Sequence, residues 1–322
     1  MSALAQTTPE TAPLWQDLFL EQFASSQAGF ELFEFERSAG DFRYHQFVCR
    51  FQDAYGRACT TFGRSQDRKL AAVKCAAEAI ERTVMTGFFK KHPRQFAELQ
   101  NSNGWAVHSF TENAEQAATL ELVERHLLLK SWLLHGWNGF DLVRKASTGE
   151  IDLYFLKAIQ QSEEYAAGLV IAKSPIYAGV SIGQCIGASS RTSSYYFWEN
   201  GIFEAIDRLV MLNGQNIELR NEASSWILCE SKRLLETPFD FSQLRSRGDQ
   251  FVETLPRVKV TGFDLSMRFN GLPVSAAFAQ SEELIPLFPS RDLSSEFYTY
   301  IAPILDLHGV PRSAHILGHP IL

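Results

Sequence analysis

Apolar residues recur at helical spacing from Trp15 to Phe23, then alternate with polar ones over Phe30 to Arg37 and Phe42 to Gln52. This pattern predicts a helix followed by two strands. Asp53-Ala-Tyr-Gly56 reads as a turn, with Arg57 to Phe62 returning as a hairpin partner. Asp67 is placed to cap a long helix from Arg68 to Phe89, and Pro93 opens a short helical connector to Leu99. Thr111 is placed to cap a second long helix, which runs through His135 and stops at Gly136. Strands are expected at Ile151 to Lys157, Tyr165 to Ala172 and the glycine-punctuated Ala178 to Gly187. A third long helix spans Thr192 to Leu212 and a shorter one Ser224 to Leu235. Val258 to Val260, Asp264 to Phe269 and Val274 to Ala279 read as strands, and a Pro- and His-containing tail follows from Pro286. Helices fall between groups of strands without strict alternation. That order fits an α+β (mixed α/β) fold with three long helices packed on sheet. No low-complexity linker divides the chain. The expectation is a loose tail over residues 1–13 and one domain over residues 14–322.

Composition narrows the class. The chain of 322 residues is 45% hydrophobic and 21% charged, as in ordinary globular proteins. Its formal net charge of −7 argues against nucleic acid or an anionic membrane as the main partner. The longest apolar run, Leu127 to Leu134, is interrupted by Lys130 and Ser131 and is too short to span a bilayer. The first thirteen residues lack a signal-peptide pattern. Cys49, Cys59, Cys75, Cys185 and Cys229 form no C-x-x-C pair, which fits reduced thiols in a cytoplasmic protein.

Charge on the long helices changes the picture most. Glu78, Glu81 and Arg82 form an E-x-x-E-R motif on the first long helix, and Glu121, Glu124 and Arg125 repeat it on the second. Residues three apart share a helical face. Such a motif on a surface helix is commonly a solvated face. On the second helix, however, Leu120, Leu122, Val123, Leu127, Leu128, Leu129, Trp132 and Leu133 point nearly all round the axis, the mark of a buried helix. Ionised carboxylates there would cost several kcal/mol each, roughly, unless paired or bound to metal. Four carboxylates facing one another would suit a hard cation such as Mg2+ or Ca2+, and Mg2+ commonly shares its coordination with substrate phosphates. Neither G-x-x-x-x-G-K-[ST] nor G-x-G-x-x-G occurs, so a P-loop or Rossmann phosphate site is not expected.

These motifs, with their order and surroundings, resemble the YcaO superfamily of ATP-dependent peptide-backbone-modifying enzymes. Lys74-Cys-Ala-Ala-Glu78-Ala-Ile-Glu81-Arg82 is similar to the family's S-x-x-x-E-x-x-E-R motif, with Lys74 in place of Ser. Ser102-Asn103-Gly104-Trp105-Ala106, Thr111, Glu115 and Glu121-Leu-Val-Glu124-Arg125 are similar to its central stretch, with His108 and Ser109 replacing a Gly-Asn pair. LLLKSWL (127–133) is similar to azoline-forming members. Glu204 and Arg208 in IFEAIDRL (202–209) match a later E-A-x-x-x-R element, with Asp207 near the place of a usual Gln. His319-Pro320 resembles the Pro-rich terminus of cyclodehydratases.

The resemblance implies a YcaO-like fold, with ATP and Mg2+ as cofactors and Glu78, Glu81, Glu121 and Glu124 as metal ligands. It implies nucleotide contacts from Lys74, Glu78, Arg82, Asn103, Ser109, Glu121, Arg125, Glu204 and Arg208. Glu81, Glu124 and His319 are the expected catalytic residues. The implied reaction is cyclodehydration of Cys, Ser or Thr in a ribosomally made precursor peptide to an azoline, through phosphorylation of the amide oxygen. Thioamidation by external sulfide is the alternative. A non-catalytic scaffold subunit is a further one. The implied partners are the precursor peptide, a leader-peptide-binding protein and a dehydrogenase in a multisubunit complex, with a homodimer or higher assembly of this chain.

A competing motif is Gly179-Val-Ser181-Ile-Gly183, which matches the G-x-S-x-G nucleophile elbow, with His308, His315 and His319 downstream. The elbow requires a sharp strand-to-helix turn after Ser181, whereas the sequence continues strand-like. The glycines are expected instead to let the strand pass close to another backbone or a ligand.

Overall fold

The structure is a computed structural model describing residues 12–26, 29–39, 41–92, 104–176, 179–212, 246, 248, 250–286 and 295–312. The connector after Pro93, the helix expected at Ser224 to Leu235, and Asn103, His315 and His319 lie outside these residues. Helices mix with antiparallel sheets, as the α+β reading requires.

Two compact units are present. The first comprises residues up to Arg37, Arg43–Leu122 and Val258–Ser281. It holds helix α1 (Ala12–Ser26) and a sheet ordered β1 (Glu31–Ala39), β2 (Phe42–Gln52), β3 (Ala58–Ser65). Helix α2 (Arg68–Lys91) packs on β3. Asp67 caps α2 as expected, accepting the Leu70 N–H at 2.9 Å, and Lys90 and Lys91 face the negative end of the helix dipole. The contact with β3 is tight at Gly63, where a Cβ would lie 2.0 Å from the Ala71 carbonyl oxygen. Phe19, Phe47, Phe51, Cys75, Ala79 and Phe269 form much of the core. A second sheet orders β11 (Lys259–Asp264), β12 (Ser275–Gln280) and β4 (Trp105–His108). Trp105 stacks on Phe278 at 4.4 Å, and Phe88 and Phe89 from the end of α2 meet both rings. Helix α3 (Thr111–His135) begins beside this sheet, with the Thr111 and Ser275 hydroxyls 3.0 Å apart.

The second unit comprises Ser38–Phe42, Val123–Arg257 and the residues from Glu282. Its four-stranded antiparallel sheet runs β5 (Phe140–Thr148), β6 (Ile151–Ala158), β8 (Tyr165–Ser174), β9 (Gly179–Ala188), and β7 (Gln160–Ser162) pairs in parallel with β10 (Phe251–Glu253). Helix α4 (Tyr195–Leu212) covers β8 and β9, burying Phe197, Trp198, Phe203, Ile206 and Leu209. Helix α5 (Ser295–Leu307) contributes Ile301, Ile304 and Leu305 to a cluster with Leu129 and Leu133.

Three expectations change. Asp264 to Phe269 is not one strand. β11 ends at Asp264, whose carboxylate accepts the Ser266 N–H at 2.8 Å, and Ser266–Phe269 coils into a 3-10 turn closed by left-handed Asn270. Phe140–Thr148 is a strand that the sequence hides, because Arg144 and Lys145 interrupt its alternation at a bulge after Leu142. The tail from Pro286 contains helix α5, which carries Pro303 on an exposed position while its apolar stripe is buried.

The glycine-rich strand is confirmed and its role is steric. A Cβ on Gly183 would lie 2.0 Å from the Gly201 carbonyl oxygen and 2.8 Å from the Ala205 nitrogen of α4. Gly183→Ala is therefore expected to lower stability by about 2–4 kcal/mol through a forced displacement of α4. Urea unfolding monitored by circular dichroism measures it, and an unchanged midpoint would contradict the close approach.

Candidate functional site

In the first unit, α2 and the early turns of α3 supply the acidic residues. Glu78 is anchored by two donors: the Phe62 N–H on β3 at 3.3 Å, and Arg82 one turn along α2 at 3.4 Å. Glu81 differs. Burial raises its carboxyl well above the ordinary range, Arg82 opposes the rise, and Glu121 and Glu78 add to it. Arg82 is drawn down by burial but kept fully charged by Glu78, Glu81 and Glu121 together. The structure thus brings Glu78, Glu81, Arg82 and Glu121 into one electrostatic group, with three carboxylates around one guanidinium. Lys74 lies one turn before Glu78 on α2 and is partly buried.

At the start of α3, Ser109 is buried, and its N–H donates to His108 Nδ1 at 2.8 Å. That nitrogen is therefore an acceptor, and the Ser109 hydroxyl, 2.9 Å away, donates to it as well. Desolvation lowers the His108 pKa. His108 and Ser109, two of the residues that depart from the family pattern, thus bind each other.

In the second unit, Glu124 lies beside Arg125 at 3.4 Å, and both are largely buried. Glu204 on α4 accepts the Gln184 backbone N–H at 2.8 Å and bonds Arg208, which also donates to the Ile182 carbonyl at 2.6 Å. Burial pushes the Cys185 thiol well up, and Glu124 and Glu204 push it further, which places both carboxylates near its sulfur. Nothing in the sequence spacing indicated Gln184 or Cys185. The side-chain nitrogen of Gln184 is buried and finds no hydrogen-bond partner among the described residues. Such a donor can meet an anionic oxygen of a ligand.

A further cluster was not foreseen. His126, Glu253 and His308 bring ligand atoms within 4.8 Å of one another. Their protons argue for a clamp and against a metal. The Ile285 N–H donates to His126 Nδ1 at 3.0 Å, so the ring proton sits on Nε2, which donates to Glu253 at 3.0 Å. A metal at Nε2 would have to displace that proton while Nδ1 still accepted a hydrogen bond. Lys130 completes the clamp with an ion pair to Glu253, tying β10 to α3.

The nucleophile elbow is excluded. β9 runs unbroken from Gly179 to Ala188, and the buried Ser181 hydroxyl donates to the Ala205 carbonyl. Among the described cysteines all are free, burial lifts the Cys49 thiol to about 12, and Cys75 is raised as well. No helix among the described residues is long and apolar enough to cross a membrane.

Comparison with solved structures places this architecture. A YcaO from Methanopyrus kandleri bound with AMPPCP and Mg2+ superposes with TM-score 0.54 at 12% identity, over 84% of this chain and 90% of that one. A heterocyclase in complex with substrate and cofactor gives 0.57 at 12% identity, over 95% of this chain and 57% of that one. The E. coli microcin synthetase McbBCD complex with pro-MccB17 bound gives 0.55 at 10% identity, over 90% and 96%. The chain has a YcaO-like fold. No protein-family profile and no curated protein matches its sequence.

The Glu253 clamp sets a pH dependence. Burial opposes ionisation of Glu253, but the bonds from His126 and Lys130 prevail and bring its carboxyl from 4.5 down to about 2. A depressed carboxyl stabilises the fold above its unfolded value and loses that contribution as pH falls through its folded value. Glu253→Gln is expected to lower stability at neutral pH by about 2 kcal/mol. The gap to wild type should hold above pH 4.5 and close toward about 2. Unfolding titrations across that range measure it, and a gap independent of pH would contradict the clamp.

Proposed function

We propose that this chain catalyses ATP-dependent modification of peptide backbone amides, and specifically cyclodehydration of Cys, Ser or Thr residues in a precursor peptide. The observation that carries the reading is the group of Glu78, Glu81 and Glu121 around Arg82 on a YcaO-like fold, where burial, against Arg82 and with Glu121 and Glu78, raises the Glu81 carboxyl. An all-oxygen, anionic donor set of this kind fits Mg2+. The bound nucleotide and Mg2+ of the Methanopyrus YcaO and the peptide of the microcin synthetase complex support the same assignment.

In this reading Glu78, Glu81 and Glu121 would hold Mg2+, which would supply charge neutralisation for phosphoryl transfer, and Glu124 joins them on the resemblance alone. Arg82, Arg125 and Arg208 meet phosphate oxygens, with Glu204 orienting Arg208, to which it is bonded. Lys74, Asn103 and Ser109 contribute to the nucleotide pocket, and His319 contributes from the tail. The substrate's own side chain attacks the preceding amide carbon. The amide oxygen takes the γ-phosphoryl group and leaves as phosphate, so that ATP becomes ADP and the peptide loses one water. No enzyme nucleophile enters this scheme, in keeping with a tied Ser181 and buried, protonated Cys49, Cys75 and Cys185. We assign substrate capture to a leader-binding partner protein and place both units within one functional domain, residues 14–322.

Mass spectrometry of a precursor peptide encoded beside this gene, incubated with the chain, its partners, ATP and Mg2+, tests the reading. Loss of one water per modified site is the expected result. Replacement of oxygen by sulfur would identify the thioamide reaction instead, and an unmodified peptide without ATP turnover would identify a scaffold subunit. Glu81→Gln should reduce turnover by roughly 100-fold or more while leaving the protein folded. Full turnover in that variant would remove Glu81 from the site.

A further inference from the structure

A cavity of about 360 Å³ opens in the first unit, away from the acidic residues of α2 and α3. Its wall is apolar, with Leu20 and Phe23 from α1, Phe30 beside β1, and Leu32 and Phe47 from the sheet. Its rim carries two cations, both already matched. Arg68 forks onto Glu34 at 2.6 and 2.5 Å, and Lys69 meets Asp17 at 2.7 Å. A phosphate or a carboxylate ligand would have to break one of these pairs, so the cavity suits an apolar group.

The cavity lies beneath a sheet edge. β1 is the terminal strand of β1-β2-β3, and among the described residues no strand pairs with its outer side. Glu31, Leu32, Phe33 and Glu34 are exposed in succession, Leu32 by 39% and Phe33 by 38%. Strand alternation puts Leu32, Glu34 and Glu36 on the cavity side. On the other side, Phe33 and Phe35 lie under the guanidinium groups of Arg50 and Arg37. Among the described residues β1 therefore offers an outer edge that no strand covers, an apolar cavity at one end and Glu36 toward the other. Glu34 is matched by Arg68, so Glu31 and Glu36 against Arg37 leave the strand weakly anionic. Pairing β1 with a second copy of itself would double that charge along one seam, and acidic edges commonly guard against such pairing. A cationic strand meets no such barrier.

We propose that β1 and this cavity dock an extended segment of a partner protein, which adds a strand to the sheet, drops an apolar side chain beside Leu32 and sets Lys or Arg opposite Glu36. Backbone pairing supplies affinity, and alternate side chains supply the sequence preference. The proposal is independent of the reaction assigned above, since none of its residues belongs to the acidic group.

The probe is the labelled peptide Thr-Lys-Val-Thr-Val-Phe-Thr, in which an antiparallel approach sets Lys against Glu36 and Phe against Leu32. Fluorescence anisotropy with the full chain is expected to show saturable binding, weakened roughly tenfold when Glu replaces Lys, the size of one attractive cross-strand pair becoming repulsive. Glu36→Lys should invert that preference. Backbone N-methylation of the peptide and Leu32→Arg should each abolish binding. All the substituted protein side chains are exposed, and circular dichroism confirms the fold of each variant. Absence of saturable binding at millimolar peptide would overturn the proposal. So would equal affinity for the N-methylated peptide, which would mark a small-molecule cavity, or self-association of the chain abolished by Leu32→Arg, which would mark a second copy as the occupant.

Discussion

The repulsion among Glu78, Glu81 and Glu121 is the constraint on which the reading of this protein rests. A single guanidinium, Arg82, faces all three carboxylates, and burial weakens the screening that would make such crowding tolerable. The chain resolves the conflict by distributing protons. Glu78 is satisfied by the Phe62 N–H and Arg82, while Glu81 is driven toward its protonated form. Three part-buried acids around one guanidinium, with shifted proton affinities, are an arrangement common at functional sites.

Packing elsewhere holds these residues where they are. Within each unit a glycine lets a long helix lie against a strand at backbone contact. Gly63 does so for α2 on β3, and Gly183 for α4 on β9. The first contact brings the Phe62 N–H within reach of Glu78, and the second brings Gln184 within reach of Glu204. Glu78 and Glu204 are thus bonded to strand backbone next to close helix–sheet approaches, which fixes their positions through rigid elements. The Glu253 clamp, which ties β10 to α3, serves the second unit in the same way through side chains alone.

Much of this was legible in the sequence. The long helices announce themselves through Asp67 and the apolar residues of 120–133, and the repeated E-x-x-E-R marks Glu78, Glu81 and Glu121, which the structure groups, whereas Glu124 lies in the second unit beside Arg125. The glycines of residues 179–187 signal close approach in advance. What escaped the sequence depends on long-range partners. Phe140–Thr148 is a strand because β6 pairs with it, despite Arg144 and Lys145 in its centre. The helix containing Pro303 forms because Leu129 and Leu133 bury its stripe. His126 and Glu253 are separated by 127 positions, and no local pattern joins them. Ser266–Phe269 turns because of one Asp264 side-chain bond that alternation cannot reveal.

Completion of the acidic group of α2 and α3 by a divalent cation carrying nucleotide, as proposed above, would have a direct thermodynamic signature. A carboxyl that is protonated when the site is empty must lose its proton to become a ligand. Isothermal titration of the protein with a non-hydrolysable ATP analogue and Mg2+, repeated near neutral pH in buffers of different ionisation enthalpy, counts protons released on binding. Mg2+-dependent binding with net proton release that disappears in Glu81→Gln is the expected result. Binding that releases no proton, or the same release in the variant, would contradict it.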